Sequence, residues 1–244
     1  MRPNSMIWRD LPEAAAAKVL AKGEEYARIA AIGLVVGVAI IFVIAIGPAG
    51  VDFLAFWSAG QLALSGQAAL AYEPAALGAA QQAAGFDNVY PFLNPPPFLL
   101  VSAPFALIPY PAALALWLVA GFALYFAVAR KVWPKAPWLI AAFPPVFINA
   151  ANGQNGFVTA ALFLGAVLLL GKRPWLAGAL FGALVIKPQL ALLVPVALLA
   201  AGQWRAIGGA AISSLGLLAI SEALMPGALA GFIGGAVGTG AVVA

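Results

Sequence analysis

Apolar residues run along this chain in long unbroken stretches, and polar or basic residues punctuate them at intervals of roughly one helix. The first stretch, Ile29–Gly47, is 19 residues without a charge, and at about 1.5 Å per residue it approaches the roughly 30 Å of a bilayer core. Further stretches cover Ala112–Ala129, Trp138–Ala151, Phe157–Leu170, Trp175–Ile186, Leu190–Ala201 and 206–224. Basic residues close several of them: Arg130, Lys131 and Lys135, then Lys172 and Arg173, then Arg205. Phe98–Ile108 is apolar but short and is broken by Pro109-Tyr110-Pro111, so it reads as a re-entrant segment or a broken hairpin. The pattern predicts an all-α fold, a polytopic membrane helix bundle, because backbone groups in lipid must bond one another.

Composition sharpens this reading. Apolar residues are 64% of the 244 positions and charged residues 8%, against about 25% charged in a soluble domain. So few charges cannot solvate a water-facing surface of this size, and lipid must cover much of the exterior. The chain has no cysteine and no histidine, which removes thiolate chemistry and the commonest general base. Proton transfer then falls to Asp, Glu, Tyr or Lys. Only carboxylates could hold a metal, and nothing visible requires a metal or any other cofactor.

The net charge of +4 sits at segment ends, as topology signals do, and does not point to nucleic acid. Arg2, Arg9, Lys18, Lys22 and Arg28 precede the first stretch and predict a cytoplasmic N-terminus; the expected location is a plasma membrane of bacterial type. Residues 1–28 read as a cytoplasmic segment with a helix starting at Asp10-Leu11-Pro12-Glu13, and 29–244 as the membrane region. Residues 48–96 hold Asp52, Glu73 and Asp87 but no Lys or Arg. They read as an outer loop with interfacial helices at Phe53–Leu64 and Pro74–Ala84, anchored by Phe53, Phe56 and Trp57. Under this topology Asp52, Gln154-Asn155 and Lys187–Gln189 share the outer side. No internal repeat supports a transporter built from duplicated halves.

Few residues could carry chemistry. Asp52 lies in an apolar setting, Val51-Asp52-Phe53-Leu54, where partial desolvation raises basicity. It suits a general base, and equally a cap for the helix that follows. Lys187, isolated in apolar sequence beside Pro188 and Gln189, suits an anion such as phosphate, or a side chain reaching the head groups. Asn152-Gly153-Gln154-Asn155-Gly156 offers amides for sugar hydroxyls, or caps for Phe157–Leu170. Glu73 and Asp87 read as solvated loop charges, and Tyr72, Tyr90 and the tryptophans as interface anchors.

The order of these features resembles a known family. A basic N-terminus and one span lead to Val51-Asp52-Phe53 with Phe56-Trp57, Leu70-Ala71-Tyr72, and Tyr90-Pro91 with the proline cluster before Phe98-Leu99-Leu100. Gly153-Gln154-Asn155, the run from Ala177 to Gly182 and Lys187-Pro188-Gln189 follow. Over about residues 28–205 the chain resembles the membrane proteins of glycosyltransferase family 87, which includes polyprenol-phosphate-mannose-dependent mannosyltransferases. The resemblance implies a GT-C architecture and a lipid-phosphate-linked sugar, a hexose such as mannose, as donor substrate. It also implies a glycan or glycolipid acceptor at the extracytoplasmic face and no separate cofactor. It makes Asp52 the base for the acceptor hydroxyl and Lys187 the partner of the donor phosphate, with Gln154, Asn155 and Gln189 lining the same cavity. Family members are longer, so the resemblance also implies a truncated chain lacking later helices. The rival readings are a transporter or lipid flippase, in which Asp52 and Lys187 form a polar pathway, and a non-catalytic scaffold.

Overall fold

A computed structural model describes residues 13–44 and 50–242, and among them every regular element is helical. The chain folds as an all-α membrane helix bundle. Helix α1 (Glu13–Ile44) is followed by α2 (Val51–Leu64), a 3-10 turn (Ala68–Tyr72) and α3 (Pro74–Ala83). Then come α4 (Pro97–Ser102) with a 3-10 extension (Ala103–Leu107), α5 (Tyr110–Val132), α6 (Pro137–Ala141), α7 (Pro144–Asn152) and α8 (Gly156–Leu169). The rest is α9 (Pro174–Gly182) extended by a 3-10 turn (Ala183–Ile186), α10 (Pro188–Ala191), α11 (Leu193–Ala200), α12 (Trp204–Leu224) and α13 (Ala228–Val242). Prolines open α3 to α7, α9 and α10 in their first turns, where a missing N–H costs nothing.

Helices α5 and α12 are each long and apolar enough to cross a membrane. Large apolar side chains lie on the outside of the bundle, Leu193 at 75% exposed and Val119 at 69%, as expected of a surface whose solvent is lipid. Several departures from the sequence reading concern where helices start and stop. Helix α1 runs unbroken through residues 28 and 29, so the surface helix and the first span are one element; Asp10, Pro12, Gly47 and Pro48 lie outside the described residues.

The stretch Trp138–Ala151 is two helices, broken between Ala142 and Phe143 ahead of Pro144-Pro145. At one end of this pair the Glu24 carboxylate accepts hydrogen bonds from the backbone N–H groups of Trp138 (2.8 Å) and Leu139 (3.3 Å). At the other end the Ala151 carbonyl accepts from Gly50 N–H at 3.1 Å. The short helices thus connect the two ends of the bundle. Trp133, Trp138, Trp175 and Trp204 are exposed and stand beside the ends of α5, α6, α9 and α12 that adjoin the basic clusters, in keeping with interface anchors.

The expected anchors Phe53, Phe56 and Trp57 are not at the surface. They are buried with Phe98, Tyr110 and Trp117 in the main apolar core, where Phe53 stacks on Trp117 (centroids 5.7 Å apart) and Phe56 meets Phe98 edge-on at 4.7 Å. The reason lies in α4 and its extension, which are helical and fold back over α2, so that the Ile108 carbonyl takes the Trp57 indole N–H at 3.0 Å. Helix α2 is therefore covered on both sides by protein, and its aromatics pack inward.

Helices α9 and α12 pack backbone to backbone. A Cβ added at Gly178 would meet the Ala206 carbonyl, one at Gly182 the Ala210 carbonyl, and one at Gly209 the Trp175 carbonyl. Lipid gives no hydrophobic drive for two helices to associate, so close approach through small residues supplies it. We expect Gly182→Leu to destabilise the detergent-solubilised protein by about 1–3 kcal/mol through overpacking. Gly216→Leu, at a position of α12 with open space around it, should stay within about 0.5 kcal/mol. Thermal unfolding of the two variants checks the contrast.

Candidate active site

The site is built on two left-handed glycines. Gly50 (φ 73°) caps the N-terminus of α2 and Gly153 (φ 66°) caps the C-terminus of α7, a conformation that only glycine adopts without cost. They also touch: a Cβ at Gly153 would lie 2.6 Å from Phe53 Cβ, 3.3 Å from Gly50 Cα and 3.3 Å from Leu114. Besides the Gly50–Ala151 backbone bond, the Gly50 carbonyl accepts from the Tyr110 hydroxyl at 3.0 Å, and the Gly153 carbonyl from the Trp117 indole N–H at 2.9 Å. Helix α5 thus fixes both corners, and the α7–α8 turn lies flat against the start of α2.

This arrangement brings Gln154 onto Asp52. Asp52 stands in the first turn of α2, where the helix dipole favours a negative charge. The Gln154 side chain donates a hydrogen bond to the carboxylate while its own Oε1 faces Asn155 N–H at 3.3 Å. The capping reading of Asp52 does not hold, since Gly50 occupies the cap and no side chain bonds there. Nor do the amides of the turn cap α8: Asn155 holds the cap position without a capping bond, and Asn152 donates to the Ile148 carbonyl.

Lys187 completes the group. It lies in the break between the 3-10 turn and α10, outside α5 and α12, because Pro188 has no N–H to continue the helix. Its Nζ donates to Asn155 Oδ1 at 3.2 Å, and its charge acts on Asp52. Burial pushes the Asp52 carboxyl above the usual aspartate range, and the Gln154 hydrogen bond and the Lys187 charge pull it partly back. Burial pulls Lys187 below the usual lysine range, opposed by the negative charge of Asp52. Asn155 is 1% exposed and its amide nitrogen, like that of Asn149, has no protein partner. Asn94, not singled out by sequence reasoning, donates to the Ile186 carbonyl at 3.0 Å, next to Lys187.

Four of the five expected site residues, Asp52, Gln154, Asn155 and Lys187, are thus brought together. Gln189 is not. It stands in the first turn of α10, part-exposed and lining a separate apolar cavity of about 1230 Å³. That cavity lies between α5, α6, α8, α9 and α11, with Leu139, Phe163, Leu164 and Val194 among its walls. Glu73 and Asp87 are exposed, as expected of loop charges. Tyr72 is not a surface anchor: burial holds its hydroxyl above the usual range, and that hydroxyl donates to the Asn94 carbonyl at 3.1 Å.

A carboxylate of raised basicity within electrostatic reach of a cation can take a proton from a hydroxyl and stabilise an anionic leaving group. The model of glycosyltransferase family 87 matches residues 92–243, more than half of the chain. The chain belongs to glycosyltransferase family 87. Family 87 proteins are membrane-associated glycosyltransferases, so a sugar donor and an acceptor are the class of substrate. The matched region contains Gln154, Asn155, Lys187 and Gln189 and begins after Asp52. No curated protein and no solved structure matches the chain.

The opposed influences on Asp52 give a signed expectation. In isotope-edited infrared spectra of the purified protein, the carboxyl band absent from Asp52→Asn should titrate above the usual aspartate range. Lys187→Met removes a charge that favours the ionised form, and should move this titration further upward; a downward move would contradict the arrangement.

Proposed function

We propose that this family 87 protein transfers a sugar, a hexose such as mannose, from a polyprenyl-phosphate donor to a glycan or glycolipid hydroxyl at the extracytoplasmic face of a plasma membrane of bacterial type. The observation that carries this reading is the pairing of Asp52 and Gln154 with Lys187 and Asn155 in one partly buried cluster. The bundle is read as multi-pass with a cytoplasmic N-terminus and a GT-C architecture. The placement of the basic residues supports that orientation: Arg130 and Lys131 lie in the last turn of α5, whose first residue, Tyr110, touches Gly50.

In the proposed reaction the acceptor oxygen attacks the anomeric carbon of the donor, and the bond from that carbon to the phosphate oxygen breaks. Asp52 takes the hydroxyl proton as general base. Gln154 orients the carboxylate and leaves its second oxygen available to the acceptor. The departing polyprenyl phosphate leaves with the bonding electrons and gains a negative charge, which Lys187 stabilises. Partial burial of both groups strengthens these interactions relative to water.

The apolar cavity supports a lipid-linked donor. Its walls run from Thr159 and Gln189, the latter two residues along the chain from Lys187, to Trp133, Leu170 and Ala201 by the basic loops, so it follows α8 over much of its length. A prenyl chain laid there would carry its phosphate toward the end lined by Thr159 and Gln189.

Membranes containing the protein, supplied with radiolabelled polyprenyl-phosphate mannose and a glycolipid acceptor fraction, should show transfer. Asp52→Asn should lower the rate by about 10²–10⁴-fold, and an undiminished rate would remove Asp52 from the mechanism. Movement of the lipid without sugar transfer would favour the flippase. Leu164→Trp narrows the cavity, and should raise KM for a long-chain donor while leaving that for a short-chain donor nearly unchanged; equal effects on both would dissociate the cavity from the tail.

A further inference from the structure

The break at Lys187 leaves a backbone problem that a distant residue solves. In an unbroken helix the Ile186 carbonyl would accept from the N–H of Leu190, but that N–H bonds the Lys187 carbonyl instead. Ile186 is buried, at 4% exposed, so its carbonyl needs a partner from elsewhere. Asn94 supplies it, donating from Nδ2 at 3.0 Å across 92 residues of sequence.

Asn94 is itself held firmly. The three prolines after it are buried, and the first of them, Pro95, biases its backbone toward extended conformations. Phe92, two residues before it, is buried against Phe56, Phe98 and Tyr72. The Tyr72 hydroxyl donates to the Asn94 carbonyl at 3.1 Å. Tyr72 in turn packs against α13, where Phe232 meets its ring at 5.6 Å and Gly231 and Gly235 approach the backbone of Ala69 and Tyr72. Fixing the Ile186 carbonyl fixes the plane of the Ile186–Lys187 peptide, and with it the direction in which the lysine side chain leaves the chain.

We propose that Asn94 is a positioning residue, which by clamping the Ile186 carbonyl holds the Lys187 ammonium between Asn155 and Asp52. It touches neither reacting group, and acts through Lys187. The inference rests on the Asp52–Lys187 pairing and not on sugar transfer, so it can fail while the transferase reading stands, and the reverse. Among the described residues the charged group that acts on Asp52 is Lys187. The Gln154 hydrogen bond also acts on Asp52, so the shift given by Lys187→Met is the measure of the lysine's share.

The test is the infrared titration of the Asp52 carboxyl in folded, purified protein. Asn94→Leu keeps the bulk and removes the donor; it should shift the titration upward by most of the shift given by Lys187→Met. The double variant should titrate like Lys187→Met alone, since a lysine already lost cannot be misplaced. An Asn94→Leu titration equal to that of the parent protein, or a double variant in which the two shifts add, overturns the proposal. If Asn94→Leu does not fold, Tyr72→Phe decides on the same measurement, with a smaller upward shift expected and an unchanged titration counting against the clamp.

Discussion

The contact on which the active-site end depends is between two backbones, at Gly50 and Gly153. One backbone hydrogen bond, from Gly50 to Ala151, and one close approach, of Gly153 to Phe53, join helices that are a hundred residues apart in the chain. Because both corners are left-handed and neither has room for a side chain, the turn carrying Gln154 and Asn155 can lie directly on the first turn of α2. The carboxylate, the amides and the lysine are then a consequence of where the backbone has been placed. The aromatic residues Tyr110 and Trp117 hold that placement from the side through their polar ends, while their rings complete the core.

The same economy runs through the bundle. Lipid outside offers apolar helices no reason to prefer one another, and shape has to supply the preference. The glycines of α9 and α12 allow it at one seam, and those of α13 at another, against the Ala68–Tyr72 turn. Broken helices are the counterpart. At Lys187 the chain gives up a helical bond, and Asn94 satisfies the carbonyl left over; at the start of α6 the Glu24 carboxylate does the same for the N–H groups of Trp138 and Leu139. Irregular backbone at depth is tolerated where protein covers it in this way.

Much of this was legible in the sequence, and the reasons are physical. Hydrophobic stretches and basic ends located the helices because composition alone decides what lipid accepts. Asp52 and Lys187 stood out because a charge in apolar sequence is costly and rarely accidental. What could not be read was tertiary. Phe53, Phe56 and Trp57 look like anchors until the α4 segment is known to fold over them. Gln189 looks like a partner of Lys187 until the short helix turns it away. Asn94 carries one faint signal, an amide directly before three prolines, and its bond to Ile186 leaves no trace in local pattern. Asp52 read as a cap because the true cap, Gly50, has no side chain to suggest it.

The clamp between Asn94 and Ile186 has a bearing on how the protein is made. Its two partners leave the ribosome far apart in time, with α4 to α9 threaded between them. Until the segment around Lys187 has been inserted, Asp52 stands in a half-formed cleft with its amide neighbours but without its cation. During that interval no lysine charge is at hand to favour the ionised carboxylate. The pairing is therefore a product of late assembly, and a nascent chain stalled before α9 would hold Asp52 with its amide neighbour but without the lysine that draws its proton affinity down.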